Sequence, residues 1–265
     1  MPWKAALAIA GVCWGLAIRD SRMMAGGMPM PGGWTMSMVW MPMAGQSPIG
    51  AGAMFGGMWL SMMVAMMLPS SLPMLELYRR GVAFRGERHP DLLVSLMAGG
   101  YFLVWTVFGV IAYGIGVTIA GATMRSTTIS EMIPIAAGGA LIVAGVYQLT
   151  PWKSACLAHC RNPLDIVARH LHHGWRGAVA LGAHHGLFCT GCCWALMVMQ
   201  LVMGVMNLRA MAAIAAVIAL EKLAARGRLI ARIVGVAAIA AGVLTLTGSR
   251  LSASGFGLSA LGFGF

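Results

Sequence analysis

Long apolar stretches separated by short polar segments dominate this chain. They lie at residues 5–18, 50–72, 92–122, 132–152, 177–206, 210–221 and 230–248. Because a helix of about 20 apolar residues crosses the hydrocarbon core of a bilayer, the pattern predicts an all-α, polytopic transmembrane helix bundle of about seven helices. We expect three regions along the chain: an N-terminal helix with a Met-rich outer loop (1–49), the transmembrane bundle (50–249) and an apolar Gly and Phe tail (250–265).

The composition and charge distribution fit this interpretation. Hydrophobic residues make up 59% of the chain and charged residues 9%, whereas about a quarter of the residues in soluble domains are charged. The formal net charge is +11. With a cytoplasmic amino terminus, thirteen of the 18 Lys and Arg residues, including Lys153 and Lys222, fall on cytoplasmic segments. This bias predicts a multi-pass protein of the cell inner membrane, whose positive charge meets anionic lipid and not nucleic acid.

Methionines are concentrated at the start of the chain. Residues 23–43 contain eight of them, in Met-x-Met and Met-Pro-Met units, and their Pro and Gly residues prevent a long helix. One interpretation is an apolar loop that lies on the outer membrane surface. The other is a capture site, because thioether sulfurs are soft ligands that suit Cu(I).

A methionine stripe continues along the second apolar stretch. Met54, Met58, Met62 and Met66 are spaced four residues apart, with Met63 and Met67 beside them, so one helix face carries them. The stripe is typical of core packing, and it also fits accessory ligands or a relay for a metal. Two prolines that follow, Pro69 and Pro73, predict that this helix ends or bends there.

The fifth apolar stretch carries the most unusual chemistry. On a helix, His185, Cys189, Cys192 and Cys193 fall within about 100° of arc, which places four soft ligands on one face. Thiols and imidazoles are costly inside an apolar helix unless they bind something. Small residues on nearly the same face, at 182 and 186, predict the close approach of a second helix.

A second set of ligands follows the fourth stretch. Cys156, His159 and Cys160 repeat the same three- and four-residue spacing. They reach the first set only if the fourth helix continues past Pro151 or re-enters the membrane. The third stretch, in contrast, has no chemistry and is predicted to be scaffold. Residues 162–176 predict an amphipathic helix in the cytoplasmic interface.

These patterns predict a metal site, against the alternative that the cysteines are small buried hydrophobes. Soft sulfur favours Cu(I) or Zn(II), and the methionines favour copper, with zinc second. The candidate ligands are Cys156, Cys160, His185, Cys189, Cys192, Cys193, Met62, Met63, Met66, Met67, His159 and His184.

The function predicted from these ligands is copper capture, holding or transfer. Two alternatives remain open: a metal-containing membrane oxidoreductase subunit, and a thiol and quinone oxidoreductase that works by disulfide exchange. Lipid, other copies or other membrane subunits, and a soluble metal-carrying protein are the expected partners. The chain has no nucleotide-binding loop and no acidic relay deep in an apolar stretch, which argues against active pumping by this chain alone.

Three motifs in a fixed order within residues 55–245 carry a family resemblance. They are Trp59 with Met62, Met63 and Met66 to Pro69; Tyr147 to Lys153 followed by Cys156, Cys160 and Arg161; and His185 with Gly186, Cys189, Cys192, Cys193 and Trp194, extended by Gly204 to Asn207 and by Glu221 with Lys222. In these motifs the chain resembles a bacterial and archaeal family described as predicted metal-binding integral membrane proteins. The resemblance implies a metal site without naming an activity. His159, His184 and the Met-rich loop lie outside its pattern.

Overall fold

A computed structural model describes residues 3–24, 26–41, 45–170 and 173–253. Most of them are helical. The helices are α1 (Trp3–Met23), α2 (Pro48–Phe84), α3 (Pro90–Arg125), α4 (Thr127–Leu149), α5 (Pro151–Arg161), α6 (Pro163–His170), α7 (Gly174–Met203), α8 (Leu208–Leu223) and α9 (Gly227–Ala253). The predicted helix bundle is therefore confirmed. Residues 254–265 of the predicted tail, together with Met43 and His172, lie outside the described residues.

Five of the described helices are long and apolar enough to cross a membrane. They are α2, α3, α4, α7 and the part of α9 from Gly227 to Gly248. Each of the seven predicted stretches overlaps a helix, but α1 and α8 are not among these five. The fourth stretch, 132–152, extends from α4 into α5, which are separate helices with Thr150 between them. The exact number of spans stays a prediction.

The second helix does not end at its prolines. α2 runs for 37 residues through Pro69 and Pro73 to Phe84, so it does not end there, and the alternative of a bend at the prolines stays a prediction. Proline lacks the N–H that would bond the carbonyl four residues earlier, and for Pro69 that carbonyl belongs to Ala65. The indole Nε1 of Trp14 in α1 donates to this oxygen at 3.1 Å. The helix tolerates Pro69 because a neighbouring helix supplies the missing hydrogen bond.

The Met-rich segment folds back on itself and packs against the bundle. Strands β1 (Gly27–Met30) and β2 (Trp34–Ser37) form an antiparallel hairpin in which Met30 pairs with Trp34. Trp34 donates to the carbonyl of Ser130 at 2.9 Å, at the start of α4. Met36 is only 1% exposed. Part of the predicted loop therefore forms a hairpin with one buried face.

The segment predicted as one amphipathic helix divides into two elements. α6 ends at His170, and α7 begins at Gly174, whose φ of +73° breaks the helical path between them. The exposed His173 ring lies 3.0 Å from a carboxylate oxygen of Glu87. The start of α7 is thus held to the α2–α3 turn at the surface.

Glycines allow α3 and α7 to cross with their backbones in contact. A Cβ atom on Gly182 would overlap the carbonyl oxygen of Met97, and one on Gly100 would overlap that of Val179. A Cβ on Gly186 would lie 3.0 Å from the carbonyl oxygen of Tyr101. The predicted close approach at residues 182 and 186 is confirmed, and α3 is the partner helix.

We expect the Gly182→Ala variant to be clearly less stable than the wild type. The added methyl group has only rigid backbone to displace, and overpacking of this kind costs about 1–3 kcal/mol. Thermal unfolding of the detergent-purified protein measures the change. The matched control is Gly99→Ala on α3, where a Cβ meets no atom within 4 Å. An equal loss of stability in both variants would contradict the proposed tight crossing.

Candidate metal centre

The three cysteines of α7 form a compact group of sulfur atoms. The Sγ atoms of Cys189, Cys192 and Cys193 all lie within 4.8 Å of one another. Each residue is at most 1% exposed, and all three are free thiols. Spacings of three and four residues bring them to one helix face, as the sequence predicted. This group can hold one metal ion without help from other elements.

The short helix α5 adds a fourth sulfur. The Sγ of Cys160 lies 3.8 Å from that of Cys192. The chain turns at Thr150, whose hydroxyl accepts a hydrogen bond from the backbone N–H of Lys153, and a new helix starts at Pro151. Cys160 of the second ligand set therefore reaches the first set from a separate helix and not from a continuous one. Cys160 is partly exposed, whereas the α7 thiols are buried.

The other predicted ligands on α5 and α7 lie around this group. Cys156 packs against Gly191, where a Cβ would lie 3.2 Å from its sulfur. The rings of His159 and His184 have centroids 5.3 Å apart, and His159 stacks on Phe188 at 3.8 Å. None of these three residues belongs to the compact sulfur group, and their role as ligands stays a prediction.

A tyrosine of α3 connects the sulfur group to His185. The hydroxyl of Tyr101 lies 2.9 Å from the Sγ of Cys189, and its ring stacks on that of His185 with centroids 5.6 Å apart. The prediction that the third stretch is only scaffold was wrong, because Tyr101 contacts the site directly. A single tyrosine in an aromatic-rich stretch gives no local signal of such a contact.

The predicted methionine ligands are all deeply buried. Met62, Met63, Met66 and Met67 are at most 3% exposed and belong to the same hydrophobic core as the three α7 thiols. In contrast, Met54 at the outer end of the stripe is 41% exposed. The position of these side chains fits core packing and a relay equally, and their metal role stays a prediction.

Three charged side chains lie buried beside the sulfurs. Nζ of Lys153 on α5 lies 2.7 Å from Oε2 of Glu221 on α8, and both side chains are 1% exposed. The same ammonium group donates to the carbonyl of Cys192. Nζ of Lys222 lies 3.1 Å from Sγ of Cys189 and 3.3 Å from Oγ of Ser70.

The sequence did not predict these charges as part of the site. The structure shows that Lys153 and Lys222 are 0% and 8% exposed and that Glu221 is a buried acid at 1%, while their predicted place on cytoplasmic segments stays a prediction. The sequence contains one indication that Lys153 lies in the site, because its spacing from Cys156 and Cys160 puts the lysine on the ligand face of α5. Nothing in the local sequence indicates that Lys153 pairs with Glu221, 68 residues away.

The sulfur atoms of this group suit a soft cation. Thiolate sulfur prefers Cu(I) and Zn(II), and burial excludes competing water. A buried ammonium beside Cys189 offsets part of the negative charge that the thiolates would carry in an apolar interior. The fold and site thus define a helical metal-binding protein with a buried thiol centre.

Comparison with protein families shows the family to which the chain belongs. The model of the family described as PpoB2: Copper chaperone matches residues 56–245, well over half of the chain, and the chain belongs to that family. The match includes all four clustered cysteines and leaves out α1 and the hairpin. It confirms the predicted resemblance to a metal-binding family. Comparisons with curated proteins and with solved structures give no match.

Proposed function

We propose that this protein is an integral membrane copper chaperone that holds Cu(I) on the sulfurs of Cys160, Cys189, Cys192 and Cys193 and passes it to a partner. The observation that carries the proposal is the group of three buried thiols within 4.8 Å, in a member of a copper chaperone family. Cu(I) accepts two to four soft ligands in flexible geometry, which this group offers.

The apolar surface supports a membrane location. Side chains such as Leu103, Val110 and Leu244 are 58%, 64% and 61% exposed on helices long enough to span a bilayer. Exposed apolar faces of this kind are stable in lipid and costly in water. We place the protein in the cell inner membrane with its amino terminus in the cytoplasm, on the distribution of basic residues.

The exposure of the thiols supports a direction of exchange within the site. Cys160 on α5 is partly exposed, while Cys192, 3.8 Å from it, is fully buried. Cys160 would therefore meet an incoming or departing ion first, with His159 and His184 beside it. On the predicted topology this side faces the cytoplasm, where a soluble metal-carrying protein would dock.

The predicted regions receive separate roles in this proposal. Residues 1–49 capture copper on methionine sulfurs, and the bundle of residues 50–249 stores it. The buried stripe of Met62, Met63, Met66 and Met67 provides the path of the copper ion between the two regions. Thioethers bind Cu(I) without losing a proton, so an ion can pass along them to the thiols. The tail, residues 250–265, has no assigned role.

Metal analysis of the full-length, detergent-purified protein tests the proposal. After anaerobic loading with copper and zinc together, we expect copper to be retained in excess, and to move to an added Cu(I) acceptor. Retention of zinc alone, or a protein without metal that instead carries a reducible disulfide, would reject it. Substrate-dependent redox turnover of the copper-loaded protein would favour the oxidoreductase subunit instead.

A further inference from the structure

A small cavity lies beside the thiol group. It has a volume of about 10 Å³ and is lined by residues of α2, α3 and α7, among them Met74, Met97, Tyr101 and His185. A space of this size holds one water molecule or one metal ion and excludes organic ligands. It is distinct from the thiol group, whose three cysteines do not line it.

One of the residues that line the cavity, His185, carries a ring nitrogen without a partner in the part of the chain that the structure describes. The residue is 3% exposed, and among the described residues its buried Nδ1 has no hydrogen-bond partner. An orphaned polar atom in a protein interior costs about 1–3 kcal/mol. Such atoms in native structures usually meet a water or an ion.

The remaining lining favours an ion over water. Met74 and Met97 are 3% and 1% exposed, so their thioethers are removed from solvent. Ser71 already donates to the carbonyl of Met67, and the hydroxyl of Tyr101 lies against Cys189. A buried water needs two to four polar partners, and of the side chains that line the cavity only His185 has a nitrogen or oxygen atom without a partner among the described residues. A neutral imidazole with two thioethers is instead a soft, uncharged ligand set that suits Cu(I).

We propose that His185, Met74 and Met97 form a second Cu(I) site, separate from the thiol site and joined to it through Tyr101. The inference rests on the proposed function, because it takes Cu(I) as the cargo. It moves His185 out of the cysteine set to which the sequence assigned it. The two sites differ in charge: the thiol site is anionic and binds tightly, whereas the second is neutral and releases its ion more easily.

Copper stoichiometry of the full-length protein tests this inference. Purified in detergent and loaded anaerobically with Cu(I) alone, the wild type is expected to bind about two ions per chain within the bundle, besides any copper held by the methionines of residues 1–49. The double variant Met74→Leu and Met97→Leu removes both thioethers while nearly conserving volume. We expect it to lose about one ion per chain, with the loss of nitrogen ligation from the copper X-ray absorption spectrum.

Two controls separate this inference from the proposed function. Met199→Leu alters an equally buried methionine that does not line the cavity, and it should keep all the copper. Cys192→Ser should weaken the tight class about 100-fold and leave the nitrogen-ligated one unchanged. If the double variant keeps the wild-type stoichiometry and spectrum, the second site is rejected while the thiol site stands. If Cys192→Ser leaves the affinity of the tight class unchanged, the proposed function itself fails.

Discussion

Replacing Cys192 with serine is expected to weaken the tightest copper binding at least 100-fold, or about 3 kcal/mol. Its sulfur lies 3.3 Å from that of Cys193 and 3.8 Å from that of Cys160, so it is the thiol shared by both helices. Serine preserves the shape of the side chain but offers a hard oxygen that Cu(I) binds poorly. Competition with a colourimetric Cu(I) chelator measures the change.

The chain provides a matched control for this experiment. Cys13 on α1 is a free thiol like Cys192. It is only partly buried, and it is not a member of the sulfur group. Cys13→Ser should leave the affinity for Cu(I) unchanged. Equal affinities in Cys13→Ser and Cys192→Ser would show that copper binds elsewhere.

Removal of the Glu221 charge is expected to destabilise the fold by about 3–5 kcal/mol, because it leaves a buried ammonium without its counterion. Glu221→Gln keeps the size of the side chain and removes only the charge. Lys153 lies 2.7 Å from the Glu221 carboxylate with both side chains 1% exposed, so water cannot replace the lost partner. Thermal or denaturant unfolding in detergent measures the loss.

A double variant and a surface variant make this prediction specific. Lys153→Met combined with Glu221→Leu removes both charges and should recover most of the stability, since apolar pairs can replace buried ion pairs. Glu76 and Arg80 form an exposed pair at 2.9 Å, and Glu76→Gln should cost less than about 1 kcal/mol. A Glu221→Gln protein as stable as Glu76→Gln would contradict the buried-pair interpretation.

The ion pair also determines where Cys160 lies. Lys153 and Cys160 share one face of α5, and Arg161 of the same helix donates to the Glu221 carbonyl at 2.6 Å. Both contacts hold α5 against α8, with Cys160 over the α7 thiols. Loss of the pair should therefore increase the reactivity of Cys160 towards a thiol reagent, even under conditions where the rest of the bundle stays folded.

The parts of the site that follow from helix geometry could be predicted from the sequence. Residues 189, 192 and 193 share a face on any α-helix, and the small residues 182 and 186 indicated the close crossing. The sequence could not show whether Cys160 of α5 reaches the α7 thiols. That depended on the direction of the chain after Pro151, which is determined by tertiary contacts. These predictions rested on local spacing, and the structure brings the same residues together.

What the sequence did not reveal depends on contacts between distant segments. Lys153 and Lys222 follow apolar stretches and therefore looked like residues of the membrane surface, and only the packing of α5 and α8 buries them. Tyr101 contacts Cys189 from another helix, 88 residues away. The continuation of α2 through Pro69 depends on a hydrogen bond from Trp14, which no local pattern encodes.

The glycine-lined crossing of α3 and α7 makes one side of the thiol site rigid. Because the two backbones are in direct contact, the helices cannot slide past each other, so the distance between Tyr101 and Cys189 stays fixed. α5, which supplies Cys160, has only eleven residues and is held to α8 by the side chains of Lys153 and Arg161. On the proposed exchange at Cys160, the residence time of copper would depend on these side-chain contacts and not on the backbone crossing of α3 and α7.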